Sequence, residues 1–255
     1  MSSKGITVVY ATRGGMGDVG KFAALHALAH GNNVRVVALS SGKEEGSDLG
    51  CDVDVTDADL RDDVKRRLEA AQHEFSHVDV DDPDEARTAL EGALENTGAV
   101  VACVGNRQIS MSRWGGAAME ILVGAMGTKG VKRLVLLSSF GLTDDNVSGY
   151  WIVRVMWAAM LRTILGTARR DLLQLEAAAT SSDLDYLIVR PVGLDPRAPP
   201  KGTWTIIRSN DRGSIPGLSI SKSDVGTFML QEAQNPTLHN ETLLIVPSMS
   251  AESSS

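Results

Sequence analysis

A glycine-rich turn between a strand and a helix places the strongest constraint on how this chain can fold. Apolar and β-branched residues over 6–9 predict a strand, Gly14, Gly17 and Gly20 follow it, and a helical stretch then continues to Gly31. A second apolar strand is predicted over 34–39. Strand, glycine turn, helix and strand within about 37 residues are typical of a βαβ unit that carries a dinucleotide-binding fingerprint.

The spacing of the glycines has a physical reason. One glycine permits the tight turn, one lets the backbone approach a pyrophosphate, and one lets the helix pack closely on the strand. The free N–H groups and the positive dipole end of the helix would then face the phosphate anions. This spacing selects Gly14, Gly17 and Gly20 and leaves Gly15 without a role. The alternative is a tight loop in an α/β protein that binds no ligand.

Composition and charge narrow the class of protein. The 255 residues are 43% hydrophobic, which suffices for one large core. A net charge of −7, with no basic run longer than 65–67, argues against a nucleic-acid partner. The apolar stretch 150–165 contains Arg154 and Arg162 and is too short to span a bilayer, so no membrane partner is expected. Two cysteines and no visible targeting segment lead us to expect a cytoplasmic protein.

Strand and helix patterns alternate along the rest of the chain. Further strands are predicted at 75–80, 99–104, 134–137, 186–189, 203–208 and 242–246. Helices are predicted at about 57–73, 83–94, 116–126, 170–180 and 223–234. Uninterrupted apolar strands that alternate with helices favour a parallel sheet covered on both faces.

These patterns predict an α/β fold with a single Rossmann-like, doubly wound parallel sheet, helices on both faces and a small C-terminal substrate-side region. Residues 1–247 would form one NAD(P)-binding domain, with substrate-side elements at about 140–166 and 192–222. The serine-rich end, 248–255, is predicted to be a flexible tail.

Several sequence landmarks give the chain a resemblance to a known family. They are Gly14-x-x-Gly17-x-x-Gly20, Val78-Asp79-Val80-Asp81-Asp82-Pro83, Val104-Gly105-Asn106-Arg107, Leu137-Ser138-Ser139-Phe140, 183–191 and Ile220-Ser221-Lys222-Ser223-Asp224-Val225. Together they resemble the atypical short-chain dehydrogenases/reductases, in particular the NAD(P)H-binding (NmrA-like) group that includes the NADPH-dependent flavin reductase/biliverdin-IXβ reductases. The resemblance implies a Rossmann-type fold, a nicotinamide cofactor and reductase activity.

The chain departs from this family at a few positions. Ala11-Thr12-Arg13 separates the first strand from Gly14, and an additional helix is predicted near 57–73. Val192 stands where the biliverdin and flavin reductases carry a histidine.

The resemblance also implies which residues hold the cofactor. The contacts that it carries over are Gly14, Met16, Gly17, Val19, Gly20, Asp79, Val80, Val104, Gly105, Asn106, Arg107, Ser138, Pro191 and Val192. Asp79-Val80 matches the family's contact with adenine, and Asp54-Val55 is an alternative of similar appearance. Arg107 would meet the cofactor diphosphate or an anionic substrate, or else lie on the surface.

The end of the second strand bears on the choice between NADP and NAD. An acidic residue there would bind the ribose 2′-hydroxyl and repel a 2′-phosphate. This chain instead has Ser40, Ser41 and Lys43, whose hydroxyl, backbone and ammonium donors suit a phosphate. We therefore expect NADP(H) in preference to NAD(H). The alternative is that Lys43 is a solvated loop lysine.

The substrate is expected beyond the fifth strand. Ser139 is the predicted catalytic hydroxyl, since this superfamily keeps one at that strand end, and a simple strand-end turn is the alternative. Trp151 and Trp157 lie in an apolar segment that would form a lid over a planar substrate, or a helix packed on the body or on a second subunit. Pro191-Val192 would wall the nicotinamide face.

Missing proton donors narrow the chemistry. Short-chain dehydrogenases that reduce carbonyls use a tyrosine and a lysine four residues later, because an oxygen leaving group needs a proton. Ala168 and Leu172 occupy those positions here. A flavin, quinone or tetrapyrrole accepts hydride into a conjugated ring and needs mainly proximity and orientation, so we predict a reductase of such small planar acceptors.

Two other functions remain open at this point. One is a non-catalytic NADP(H)-binding redox sensor or assembly factor, and the other is a structural Rossmann domain with an empty site. No metal site is predicted, and the protein is expected to be a monomer or a weak homodimer.

Overall fold

The computed structural model describes residues 5–11, 17–40, 75–104, 114–142, 147–148, 166–195, 198–208, 211, 213–215 and 217–248. The strands are β1 (Gly5–Ala11), β2 (Val34–Ser40), β3 (Phe75–Asp79), β4 (Thr97–Cys103), β5 (Arg133–Leu137), β6 (Val147–Ser148), β7 (Asp185–Pro191), β8 (Gly193–Asp195), β9 (Trp204–Arg208), β10 (Gly213–Ser214), β11 (Ser219–Ser221) and β12 (Glu241–Pro247). The helices are α1 (Gly17–Ala29), α2 (Pro83–Ala93), α3 (Trp114–Lys129), α4 (Gly166–Thr180) and α5 (Lys222–Gln234). The helix predicted near 57–73 lies outside the described residues.

Eight of these strands form one sheet in the order β3-β2-β1-β4-β5-β7-β12-β9. Neighbouring strands are parallel except for β9, which runs antiparallel to β12 at one edge. An antiparallel edge strand on an otherwise parallel sheet is common. The order of the first five strands is that of a Rossmann fold, so the predicted fold class is confirmed.

Helices cover both faces of the sheet because the central strands bury side chains in both directions. One core cluster combines α1 and α5 with residues such as Val8 and Tyr10 of β1. The other combines α2, α3 and α4 with Val9, whose side chain points to the opposite face. All five residues of β5 are buried, as expected for a strand between two helical layers.

Local signals in the sequence determine where two of the helices begin or end. Asp82 caps α2 by accepting the N–H of Glu85 at 3.1 Å, and Pro83 occupies the first helical turn. Gly31 follows α1 with a φ of 72°, the left-handed conformation that glycine adopts at little cost. The sequence predicted a helix that begins at about residue 83 and another that ends at Gly31.

Two small parallel ladders lie outside the main sheet. β6 pairs with β10, and β8 pairs with β11. The first ladder therefore links the segment 140–166 to the segment 192–222, the two parts of the chain predicted to lie on the substrate side. Among the described helices, none is long and apolar enough to cross a membrane.

Candidate functional site

The direction of the sheet connections changes between β1 and β4. From β1 the chain passes through α1 on one face to β2, whereas from β4 it passes towards α3 on the opposite face to β5. Helices that leave adjacent strand ends on opposite faces open a crevice at the carboxyl edge, and ligands of open α/β sheets bind there. The candidate site is therefore the edge formed by the carboxyl ends of β1, β2, β3, β4, β5 and β7.

Gly20 brings the start of α1 against this edge. A Cβ atom on Gly20 would lie 2.7 Å from Cβ of Tyr10 and 3.2 Å from Cβ of Cys103, so a side chain has no room there. The helix begins at Gly17, with its first-turn N–H groups at the crevice. Gly20 thus fits the packing role expected of the last glycine in a dinucleotide fingerprint.

The strand ends gather several of the predicted cofactor residues. Ser40 at the end of β2 is the register partner of Asp79 at the end of β3. Asp79 is half-buried, and its Oδ1 accepts the N–H of Asp81 at 3.0 Å, which orients the carboxylate. Val80 and Val104 are buried core residues beside these ends. The contacts of Ser40 with the ribose phosphate and of Asp79 with the adenine stay predictions.

Val19, Pro191 and Val192 are buried. Val19 has no exposed surface, Pro191 is buried, and Val192 is 2% exposed in the core cluster of α1 and α5. Their cofactor contacts stay predictions.

Ser138 and Ser139 follow β5 and have different partners. Ser138 Oγ donates to Glu176 Oε1 at 2.5 Å, so a cofactor contact by this residue would have to use its oxygen lone pairs or its backbone. Ser139 Oγ lies 3.4 Å from the carbonyl of Phe140, a long and weak hydrogen bond. The hydroxyl proton of Ser139 is therefore the more readily available of the two for a substrate.

Glu176 and Arg190 form a buried ion pair that the sequence analysis missed. Arg190 donates from Nε to Glu176 Oε1 at 2.9 Å and from Nη2 to Oε2 at 2.6 Å, and both side chains are less than 10% exposed. This bidentate pair ties α4 to β7, while Ser138 ties the same carboxylate to β5. A signal was available, since Glu176 interrupts an apolar stripe formed by Leu172, Leu175 and Ala179.

A second unpredicted ion pair lies beside the start of α1. Lys222, the first residue of α5, donates from Nζ to Oδ2 of Asp18, the second residue of α1. The Lys222 side chain is 9% exposed and that of Asp18 is 42% exposed. Lys21 Nζ lies 3.8 Å from the other carboxylate oxygen. No local sequence pattern could reveal this contact between residues so distant in the chain.

The same end of α5 packs closely on α1. A Cβ atom on Gly226 would lie 2.9 Å from the carbonyl oxygen of Val19, so only glycine permits this approach. Ser223 Oγ is 3.0 Å from His26 Nε2. Burial lowers the pKa of His26 and the neighbouring His30 lowers it further, whereas Asp224 acts in the opposite direction.

Other candidate chemistry receives little support from the described residues. Cys103 is fully buried, and its burial raises the pKa of the thiol, so no thiolate forms there near neutral pH. In the part of the chain that the structure describes, no group of histidine, cysteine and acidic side chains could hold a metal ion. Ala168 and Leu172 lie on α4, so the tyrosine and lysine of a carbonyl-reducing relay are missing from those positions.

Several predicted site residues lie outside the described residues. They are Gly14, Met16, Ser41, Lys43, Gly105, Asn106, Arg107, Trp151 and Trp157, together with the alternative pair Asp54-Val55.

The chain matches a family model described as NAD(P)H-binding over residues 61–236, which is more than half of its length. The protein therefore belongs to this NAD(P)H-binding family, as the resemblance predicted. The matched range begins after the glycine fingerprint, so the two observations rest on different parts of the chain. No curated protein sequence matches the chain significantly.

Solved structures of similar fold cover nearly the whole chain. A short-chain dehydrogenase/reductase from Veillonella parvula, in complex with NADP, has a TM-score of 0.63 and 17% identity, covering 95% of this chain and 94% of that one. An anaerobillin reductase from Escherichia coli O157:H7 has a TM-score of 0.60 and 20% identity, with coverage of 94% and 96%. A protein from Streptococcus pneumoniae TIGR4 that is proposed to be an NADH-flavin reductase has a TM-score of 0.62 and 11% identity, with coverage of 95% and 99%. At these identities the likeness shows a shared fold.

The family and the fold imply a nicotinamide dinucleotide, and the arrangement at the sheet edge fits one. The crevice lies at the change of direction between β1 and β4, and Gly20 seats the N-terminus of α1 against it. Helix N–H groups and a positive dipole end suit a diphosphate.

Proposed function

We propose that the protein is an NAD(P)H-dependent reductase whose substrate is a small planar conjugated acceptor of the flavin, quinone or tetrapyrrole type. The observation that carries the proposal is a dinucleotide-binding edge with Ala168 and Leu172 at the positions of the usual proton relay. An acceptor that spreads incoming charge over a ring needs no strong acid beside it. The anaerobillin reductase and the proposed NADH-flavin reductase share the fold, which supports this class of acceptor.

Each part of the site would have a separate task. The N–H groups at the start of α1 would hold the diphosphate, and Asp79 would hold the adenine. The bound reduced nicotinamide would supply a hydride, that is, one proton and two electrons, to the acceptor. Ser139 would orient the acceptor by a hydrogen bond, and solvent would supply the accompanying proton.

The preference for NADP(H) belongs to the same proposal. Ser40 ends β2, where an acidic residue would select NAD, and Ser41 and Lys43 follow in the sequence. A lysine ammonium and two hydroxyl groups would stabilise the 2′-phosphate of NADP. We further propose that the protein acts as a monomer or weak homodimer without a nucleic-acid or membrane partner.

The proposal is tested by mixing the protein with NADPH or NADH and one acceptor at a time. FMN, a small quinone and biliverdin represent the three acceptor types, and the loss of NADPH absorbance reports turnover. Gly17→Val is the negative control, because the valine side chain would fill the space required by a diphosphate at the start of α1. We expect turnover with at least one acceptor, a lower KM for NADPH than for NADH, and neither binding nor turnover in folded Gly17→Val.

Two results would contradict parts of this reasoning. Dinucleotide binding without reduction of any acceptor would exclude the proposed reductase and favour a redox sensor or assembly factor, with which the loss of the family histidine at Val192 is compatible. Equal KM values for the two dinucleotides would exclude the NADP(H) preference alone.

A further inference from the structure

We propose that Lys222 tunes dinucleotide binding by neutralising Asp18, a carboxylate that would otherwise repel the diphosphate at the start of α1. This inference rests on the dinucleotide binding that the family and the proposed function share. Because Lys222 would act through the carboxylate of Asp18, it is a positioning residue and not a ligand of the cofactor.

Asp18 occupies an unfavourable place for a protein that binds an anion at this helix end. It is the second residue of α1, and 42% of its side chain is exposed. An acidic residue in the first turn stabilises the helix through the dipole. The same negative charge opposes a diphosphate that approaches the first-turn N–H groups.

Lys222 supplies a counter-charge in a fixed position. Its ammonium donates to Asp18 Oδ2, and its side chain is almost fully buried. Lys21 lies on α1 itself and contacts the other oxygen more loosely, at 3.8 Å. An ammonium that donates a hydrogen bond to the carboxylate stabilises its charge more than one 3.8 Å from it does.

The packing of α5 on α1 keeps Lys222 in this position. The absence of a side chain at Gly226 lets α5 approach the carbonyl of Val19. The hydrogen bond between His26 and Ser223, the residue next to Lys222, also joins the two helices. The contact between α5 and α1 therefore fixes the position of the Lys222 ammonium.

Opposite mutations separate a charge role from a merely structural ion pair. Lys222→Met leaves Asp18 with the looser contact from Lys21, whereas Asp18→Asn leaves two lysines without that acid. A charge role predicts weaker binding for the first variant and equal or tighter binding for the second. A pair that only joins α1 to α5 predicts the same loss for both.

The experiment measures the Kd of NADPH by calorimetry at low and high salt, with thermal unfolding measured in parallel. We expect Kd to rise about tenfold in Lys222→Met at low salt and by less at high salt, because ions screen the exposed carboxylate. Asp18→Asn should bind NADPH as tightly as the wild type or more tightly. The double variant should return to within about threefold of the wild type, since both charges are removed together.

Lys129→Met is the control, because Lys129, the last residue of α3, forms an ion pair with Glu95 at 3.3 Å that involves neither α1 nor α5. Its Kd should not change. Equal weakening by Lys222→Met and Asp18→Asn would overturn the proposal, as would a double variant that stays as weak as Lys222→Met. If Lys222→Met fails to fold, Asp18→Asn decides alone, since weaker binding in that variant contradicts the charge role. These measurements need no turnover, so an inactive wild type that binds NADPH would refute the reductase and leave this inference standing.

Discussion

Glu176→Gln should weaken the hydrogen bonds that link α4 to the carboxyl ends of β5 and β7. The carboxylate accepts three hydrogen bonds, from Ser138 Oγ at 2.5 Å and from Arg190 Nε and Nη2 at 2.9 and 2.6 Å. Glutamine keeps one acceptor oxygen but replaces the other with an amide donor. At least one donor would then face another donor, and the buried Arg190 guanidinium would lose the carboxylate charge of this pair.

The expected loss of stability follows from the burial of this pair. Removing one partner of a buried ion pair typically costs about 3–5 kcal/mol, because the remaining charge is uncompensated. An unfolding entropy of about 2.1 cal/mol/K per residue gives roughly 0.5 kcal/mol/K for a chain of 255 residues. The Tm should therefore fall by about 6–9 °C.

Urea and thermal unfolding, followed by circular dichroism, measure this effect. Glu95→Gln is the matched control, because Glu95 is 64% exposed in its pair with Lys129 and should lose less than about 0.5 kcal/mol. Replacing both partners, as in Glu176→Leu with Arg190→Met, should cost less than Glu176→Gln alone. If Glu176→Gln were as mild as Glu95→Gln, the reasoning from burial and hydrogen bonding would be refuted.

Three further predictions concern packing, pH and chemistry. Gly20→Val should destabilise the fold by about 1–3 kcal/mol in urea unfolding, because even its Cβ would lie 2.7 Å from Tyr10; unchanged stability would exclude this contact. Since the pKa of His26 is lowered from 6.5 in the folded state, the unfolded chain binds more protons there, and its contribution to stability should be full above pH 6.5 and be lost as the pH falls below it. His26→Gln should flatten that part of the urea-midpoint profile, and an identical slope would contradict the assignment. Ser139→Ala should lower turnover by roughly tenfold to a hundredfold with an unchanged Kd for NADPH, and full activity would remove Ser139 from the mechanism.

Local patterns were sufficient to predict the order of the five described helices and of the eight strands in the main sheet, and the class of that sheet. The helix start at Asp82-Pro83 and the helix end at Gly31 depend on capping and on a left-handed φ, which act over a few residues. The fully apolar run 134–137 predicts burial on both faces of the sheet. Because parallel strands of a βαβ fold end at one edge, Ser40 and Asp79 could also be expected to meet.

Only the tertiary structure revealed the two ion pairs around the site. Glu176 and Arg190 lie on a helix and a strand whose separate patterns predict two elements but no contact between particular side chains. Lys222 and Asp18 lie near opposite ends of the chain, and their contact depends on α5 packing against α1 at Gly226. Periodicity reports which face of an element is buried, whereas the partner of a buried charge is determined by the distance and angle at which two elements pack.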